Sequence, residues 1–402
     1  MLNAIVVGAG PAGALLAYLL ARRGVPVTLL ERQTDFSREF RGEVLMPSGI
    51  AALHEAGLRQ PLGALPNLSI RTVEIFRGER RIVAIPVDGF ETPPRIVPQP
   101  AMLEMIVAEA TKAKFPGFKL ERGVTVRDLI YEKDRVAGVH ADTLEGPRDY
   151  RADFVIACDG RASAIRKRAA LPQDRIMQAF DVVWGRVPGH FLDGRTARGY
   201  IGNGRLLIIY PSPEGHMQIG WVIDKGAFGD IKKLGAEGWI GALAPHVSSD
   251  LRNFLAANKT GPAHPFLLDV ICDRLREWTV PGLLLIGDAA HPMSPVAAQG
   301  INVALRDAVV AANHLGRALV MHADEAMLDF AARNIQAERW PEVVTIQDMQ
   351  QLGPRFVMSN SLLGRIVVSA PMIAFAKLFL AGFLARRFDP FLNGVTRVVM
   401  EQ

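Results

Sequence analysis

Gly8, Gly10 and Gly13 stand between an apolar run and a helix-like run, and this spacing restricts the amino-terminal residues to one supersecondary unit. Ala4–Val7 reads as a short buried parallel strand. Gly8 permits the tight turn out of it, Gly10 lets a backbone approach a pyrophosphate, and Gly13 lets the next helix pack on the strand. Pro11 and Ala12 complete the turn, and Ala14–Arg23 reads as the helix, whose N-terminus presents free N–H groups and a positive dipole end. Gly24 stops it. Val27–Leu30 reads as the second strand, with Glu31 at its end. A carboxylate there accepts both hydroxyls of an adenosine ribose and repels a 2′-phosphate. The unit predicts a bound dinucleotide and does not by itself separate NAD from FAD.

The 402 residues suffice for two or three domains with a large core, and 49% hydrophobic with 22% charged residues describes a globular chain. Lys and Arg number 46 against 41 Asp and Glu, a net charge of +5. That excess, with no basic run interleaved with aromatics, argues against nucleic acid. It suits an anionic cofactor or an acidic membrane surface. Two cysteines, Cys158 and Cys272, predict a reducing, cytoplasmic setting, and no signal peptide is expected. No CxxC or HExxH pattern is present and the nine histidines are scattered, so no metal is expected.

Further along, Arg38–Gly49 reads as a Gly- and Pro-punctuated loop, Ile50–Gly57 and Ala101–Ala113 as helices, and Arg71–Phe76 with Arg81–Val87 as a hairpin. Val124–Tyr131 and Arg135–Ala141 alternate like paired strands. Phe154–Cys158 reads as a strand ending in the Asp159-Gly160 turn, with a helix starting at Ser163. Arg161, Arg166 and Lys167 nearby suggest a second phosphate- or sugar-reading site. Cys158 is expected to be a buried small hydrophobe. From Gln178 to Ile223 the β-rich stretches AFDVVWGRV, GRLLIIYP and HMQIGWVI predict an antiparallel sheet carrying Trp184, Tyr200, Tyr210 and Trp221. One aromatic face of such a sheet would roof an apolar pocket. Leu283–Ile286 reads as a further buried strand ending at Gly287-Asp288. After it comes a loop with Pro295, then a helix starting near Gln299–Asn302.

Three motifs now stand in order: GAGPAG at Gly8–Gly13, CDG at Cys158–Gly160, and GDAAHP at Gly287–Pro292 with QGIN at Gln299–Asn302. Together they resemble the single-component (class A) FAD-dependent monooxygenases, the family of 4-hydroxybenzoate hydroxylase and the ubiquinone-biosynthesis hydroxylases. The resemblance covers about residues 1 to 320. It implies an α/β fold with a Rossmann-like FAD-binding domain, a second domain on an antiparallel sheet, and C-terminal helices. The expected division is 1–70, 99–175 and 266–330 for the FAD domain, 71–98 and 176–265 for the substrate domain, and 331–402 for a helical segment. The implied cofactor is noncovalent FAD, with NAD(P)H as a transient donor lacking its own Rossmann domain. Gly8, Gly10, Pro11, Ala12 and Gly13 would cradle the pyrophosphate. Glu31 would hold the adenosine ribose, with Arg32 and Val126 in the same cofactor set. Arg41 would reach the pyrophosphate and Gln99 the ribityl–phosphate arm. Asp288 would bond the ribityl chain, and Pro295 would lie beside the isoalloxazine. Ala298, Gln299 and Gly300 would complete the loop, and Ile301 and Asn302 would offer backbone N–H groups to the N1–C2 edge. Asp159 and Gly160 are associated in this family with both FAD and the nicotinamide cofactor, and Arg161 and Arg166 are candidate contacts for the latter.

The resemblance implies that NAD(P)H reduces the flavin, O₂ adds at C4a, and the resulting hydroperoxide oxygenates an electron-rich apolar small molecule. The pocket candidates are Arg186, Tyr200, Tyr210, His216 and Trp221. None is assigned as catalytic. A rival reading is an FAD-dependent reductase or dehydrogenase of a polyene or isoprenoid without oxygen insertion. A halogenase is disfavoured because no tryptophan stands in a WxWxIP motif. Residues 366–387 include a nearly uninterrupted apolar stretch, broken by Pro371 and Lys377, and predict a buried or surface-docking terminal helix rather than a span, with peripheral membrane contact as the alternative open to it.

Overall fold

The computed structural model describes residues 1–37, 42–87, 91–112, 115, 117–202, 205–258, 263–357 and 389–401. Ala4–Val7, Val27–Glu31, Phe118–Arg122, Phe154–Ala157 and Leu283–Leu285 pair in parallel. Thr279–Val280 adds an antiparallel edge, giving a six-stranded sheet with Ala4–Val7 and Phe154–Ala157 at its centre. Their side chains are buried throughout, as near-continuous apolar strands covered on both faces should be. Pro11–Arg22 and Gln99–Ala110 pack on this sheet with Gln299–Ala311, and their small and branched residues form one large core. The first helix starts with a proline at its first turn, where the missing N–H costs nothing.

The second sheet has seven strands in the order Ala263–Leu268, Phe180–Pro188, His216–Asp224, Arg205–Ser212, Thr196–Gly202, Thr72–Arg77, Arg80–Pro86. It is antiparallel except where Thr196–Gly202 runs parallel to Thr72–Arg77, the point at which the chain returns to the hairpin laid down earlier. A small sheet of Val44–Leu45, Arg95–Ile96 and Leu68–Ser69 stitches the two large ones together.

Several elements differ from the sequence-based expectation. Thr125–Glu132 and Arg135–Thr143 gain a third strand, Gly146–Arg151, whose alternation is masked by exposed charged residues. Phe228–Lys233, Gly235–Leu243 and Ser249–Ala257 form helices where only sheet was expected. They cover one face of the seven-stranded sheet. Glu325–Val357 is a helix of 33 residues. No helix among the described residues is long and apolar enough to cross a membrane. The stretch 366–387, expected to form a buried or surface-docking helix, lies outside the described residues.

Candidate active site

The glycine turn separates packing from binding. Gly8 has φ +95°, and a Cβ there would sit 2.5 Å from the Cys158 carbonyl oxygen. A Cβ at Gly13 would lie 2.0 Å from the Gly8 carbonyl oxygen. Both glycines are required by the protein's own backbone. Gly10 is different: beyond its chain neighbours, no atom of the described residues lies within 4 Å of where its Cβ would be. It caps the Pro11–Arg22 helix and leaves an open cradle at the positive end of the dipole. Glu31 is buried beside it and accepts the Ala9 N–H at 2.8 Å and the Gln33 N–H at 3.0 Å. Arg32 is exposed, while Val126 and Gln99 are buried, the latter as the first residue of its helix. Arg41 lies outside the described residues.

The Asp159 and Asp288 turns are tied to their surroundings by side-chain hydrogen bonds. Asp159 accepts the Ser163 hydroxyl at 2.5 Å and the Ala164 and Ile165 N–H groups at 2.8 and 3.2 Å. Both of its oxygens are thus used on the start of the Ala164–Arg168 helix, where an anion is favoured. Burial pushes its carboxyl up and these bonds pull it back. Gly160, at φ +83°, has open space beside it. Arg166 is buried, bonding the Ala289 carbonyl at 2.8 Å and the Arg161 carbonyl at 2.6 Å. Arg161 pairs with Asp288 at 3.1 Å and donates to the Met293 carbonyl at the same distance. Neither arginine is a free surface contact. Each laces the Gly287–Ala289 turn to the Cys158–Gly160 turn. Cys158 and Cys272 are buried free thiols pushed up by desolvation.

The loop before Gln299–Ala311 holds two consecutive left-handed residues, Ala297 at φ +58° and Ala298 at φ +52°. Each costs about 1–3 kcal/mol outside glycine, a strain that surrounding contacts must impose. Those contacts are specific. The Gln299 side chain donates to the Ala297 carbonyl at 2.7 Å and to the Phe391 carbonyl at 2.8 Å. The fully buried Asn302 amide donates to the Ala298 and Val44 carbonyls at 2.6 and 3.2 Å, and its oxygen accepts the Met46 N–H at 2.8 Å. A Cβ at Gly49 would lie 2.1 Å from that oxygen, so the neighbouring helix can approach only because residue 49 is glycine. The strain therefore fixes the first turn of the helix, from Gln299 through Gly300 and Ile301, toward the Asp288 turn. Asp288 Oδ1 is 4.0 Å from where a Gly300 Cβ would be. Pro295 starts the loop, half-buried.

The five pocket candidates fall on two faces. Tyr200 stands opposite Leu207, and Leu207 opposite Trp221. This row turns toward the Phe228–Ala257 helices and packs with Trp239 and Leu243, away from the first sheet. Tyr200 and Trp221 thus stand on the face covered by these helices, where both line a cavity with Arg77, Leu207, Leu243 and His246. The Tyr200 hydroxyl meets Ser248 at 2.7 Å. On the opposite face Arg186 stands across from Gln218, and Gln218 from Tyr210. Trp184 and Tyr210 meet edge to face at 6.2 Å, and this face packs on Val44 and Ile96 of the small sheet and on Val296.

Glu43, which the sequence reading did not single out, stands at this junction. Its carboxylate is 2% exposed, and desolvation pushes it up to about 7. Gln218 donates to Oε1 at 3.3 Å, Arg186 lies 4.0 Å from the same oxygen, and Oε2 has no hydrogen-bond partner among the described residues. The Gln218 amide also contacts His216 Nε2 at 3.1 Å, and burial and Arg186 hold that imidazole below its ordinary range. Behind the Gly287 turn lies a second buried cluster. Arg306 grips Glu342 at 2.8 and 2.7 Å, and Arg339 bridges Glu342 and Asp307 at 2.9 and 2.8 Å. Asp307 contacts His291 at 2.8 Å and accepts the Gly287 N–H at 3.1 Å.

Known proteins share this arrangement. A family profile described as FAD binding domain matches residues 1–221 and 268–343. The 6-methylpretetramide 4-monooxygenase of Streptomyces rimosus is 33% identical over 88% of this chain and 84% of its own length. The chain belongs to the class A FAD-dependent monooxygenases. Squalene epoxidase 1 of Arabidopsis thaliana is 27% identical over 86% of this chain, which spans 65% of that longer relative. Among solved structures, p-nitrophenol 4-monooxygenase PnpA from Pseudomonas putida DLL-E4 has a TM-score of 0.79 at 19% identity, covering 99% of both chains. PqsL of P. aeruginosa, solved with 2-aminobenzoylacetate, has a TM-score of 0.78 at 20% identity over 92% of this chain and 100% of that one. For this monooxygenase FAD is the cofactor. The open cradle at Gly10, at the N-terminus of the Pro11–Arg22 helix, fits it, offering backbone N–H donors where no atom of the described residues fills the space.

Proposed function

We propose that this monooxygenase hydroxylates an electron-rich aromatic small molecule, with NAD(P)H as electron donor and O₂ as oxygen source. The observation that carries the reading is the junction itself. A strained helix start faces an apolar sheet face bearing Trp184 and Tyr210, with Val44 and Val296 between them. Bound FAD supplies the redox chemistry, taking electrons from the nicotinamide and delivering oxygen to the substrate. The remaining tasks fall to the chain. Gly8, Gly10, Pro11, Ala12 and Gly13 hold the pyrophosphate, and Glu31 the ribose, with Arg32, Gln99, Val126 and Gly160 around them. Asp288, paired with Arg161 at 3.1 Å, would serve the ribityl hydroxyls. Pro295 and the segment Ala298–Asn302 would hold the flavin at a helix N-terminus, which favours negative charge. Asp159 acts indirectly, by capping the helix that carries Arg166. Trp184, Tyr210 and Val222 exclude water above the ring. Two buried free thiols support a cytoplasmic setting.

Turnover under ¹⁸O₂ with NADH and NADPH across a panel of phenols tests the reading. Label in the product is the expected result. A reduced product without label would replace it with the reductase reading.

A further inference from the structure

Two acceptor atoms are left over where the two domains meet. Among the described residues Glu43 Oε2 and Gln218 Oε1 have no partner, and both residues are essentially inaccessible, at 2% and 0% exposure. Buried acceptors of this kind cost free energy unless a ligand or water supplies a donor. Their placement is specific. Glu43 precedes Val44, whose carbonyl is held by Asn302 of the flavin-facing helix, and its own carbonyl accepts the Val97 N–H at 2.8 Å. Gln218 comes from the sheet that covers this region, in register with Tyr210 and Arg186. The pair thus belongs to both walls of the junction.

We infer that Glu43 is the catalytic base that binds the substrate's hydroxyl and accepts its proton, with Gln218 as the second acceptor beside it. This rests on the proposed hydroxylation of an aromatic. Two unpaired acceptors call for a donor, so the group seated here is a phenolic or enolic O–H. A substrate carboxylate would be repelled. The O–H bond breaks, the proton passes to Glu43, and the electron pair stays on the substrate oxygen, enriching the ring toward an electrophilic oxygen. The carboxyl titrates at about 7, so it takes and returns a proton near neutrality. The groups facing it are Arg186, which favours its charged form, Glu214, which opposes it, the neighbouring His216, and the buried Tyr210.

The test uses the FAD holoenzyme and 2-naphthol, a probe that stays mostly neutral over the range scanned and whose own ionisation is subtracted with Glu43→Gln as the reference. Binding is followed by the perturbation of the flavin spectrum between about pH 5.5 and about pH 8.5. The wild type should bind about tenfold more tightly at the upper end, because a charged acceptor makes the stronger bond. Glu43→Gln should be weak and flat across the range, Glu43→Asp should restore part of the slope, and His216→Asn should keep it. Thermal unfolding of each variant identifies any loss of fold. The full wild-type slope retained in Glu43→Gln, a slope abolished by His216→Asn alone, or equal flat binding by all variants would overturn the inference. The two readings fail separately. Labelled product with Glu43→Gln unaffected removes Glu43, whereas unlabelled product with a Glu43-dependent slope removes the hydroxylation.

Discussion

Glu43 and Glu342 are both buried glutamates, and they titrate in opposite directions. Both oxygens of Glu342 are occupied, by Arg306, Arg339 and Thr396, and these cations hold it down at about 2 despite burial. Glu43 has one distant arginine, one long bond from Gln218 and an oxygen with no partner among the described residues, so desolvation wins and lifts it to about 7. Burial is common to both; partner saturation decides. A saturated cluster fixes backbone, here the Gly287 turn through Asp307 and the carboxy-terminal residues through Thr396. An unsaturated one keeps an acceptor in reserve.

The comparison breaks most visibly at Arg339. Replacing it with Met leaves Asp307 and Glu342 short of a buried counter-charge, which should cost about 3–5 kcal/mol. Denaturant unfolding reads this directly, and a loss under about 1 kcal/mol would mean that the cluster is not a scaffold.

Next in size is the pH dependence. Glu43 moves from an ordinary 4.5 to about 7 on folding, so the native state binds the extra proton. Its cost is absent below the unfolded pKa and grows as pH rises to the folded one, reaching about 3 kcal/mol. Glu342 has the reverse sign: its contribution is present above the ordinary range and is lost as pH falls toward about 2. Stability of Glu43→Gln relative to wild type should therefore climb between about pH 4.5 and about pH 7 and stay level below. A constant difference across that window would show that Glu43 does not titrate there.

These clusters also mark how far the sequence could be read. The glycine turn, the strands Ala4–Val7 and Phe154–Ala157 and the helix start near Gln299 were legible because local spacing and apolar runs dictate them. Asp159 and Arg166 were visible as residues but not as a cap and a lacing, since their partners depend on how two turns meet. Tyr200 and Trp221 were legible as sheet aromatics but not by face, because alternation gives a period but not which face meets the other domain. The side chain of Glu43 sat in a loop-like stretch, among ordinary charged neighbours. The one available signal was a lone carboxylate before the apolar pair Val44-Leu45. Its partner Gln218 is far away in the chain, brought near only by the second sheet.

A smaller effect is expected at Asp288. Its carboxylate is part-exposed and pairs with Arg161, so Asp288→Ala should leave folding nearly intact. FAD affinity should fall by about 1.5–3 kcal/mol, the worth of a charge-assisted bond to a ribityl hydroxyl. A fluorescence titration with unchanged FAD affinity would assign the carboxylate to Arg161 alone.

The smallest effect on folding is predicted at Gly10, and it carries the contrast between filled and reserved space down to the backbone. Gly10 has φ −70°, a conformation alanine adopts freely, and beyond its chain neighbours no atom of the described residues lies within 4 Å of its missing Cβ. Gly10→Ala should therefore change the stability of the FAD-free protein by less than about 1 kcal/mol. The added methyl instead enters the cradle at the helix N-terminus, where a pyrophosphate must come against the backbone N–H groups. FAD affinity should drop by about tenfold or more, roughly 1.4 kcal/mol. Gly13 is the internal control: a Cβ there meets the Gly8 carbonyl at 2.0 Å, so the same substitution must move backbone whether or not cofactor is present. Paired measurements of unfolding and FAD binding on Gly10→Ala decide the matter. If stability falls while FAD affinity holds, the turn is shaped by packing alone and the space beside Gly10 is not reserved for a ligand.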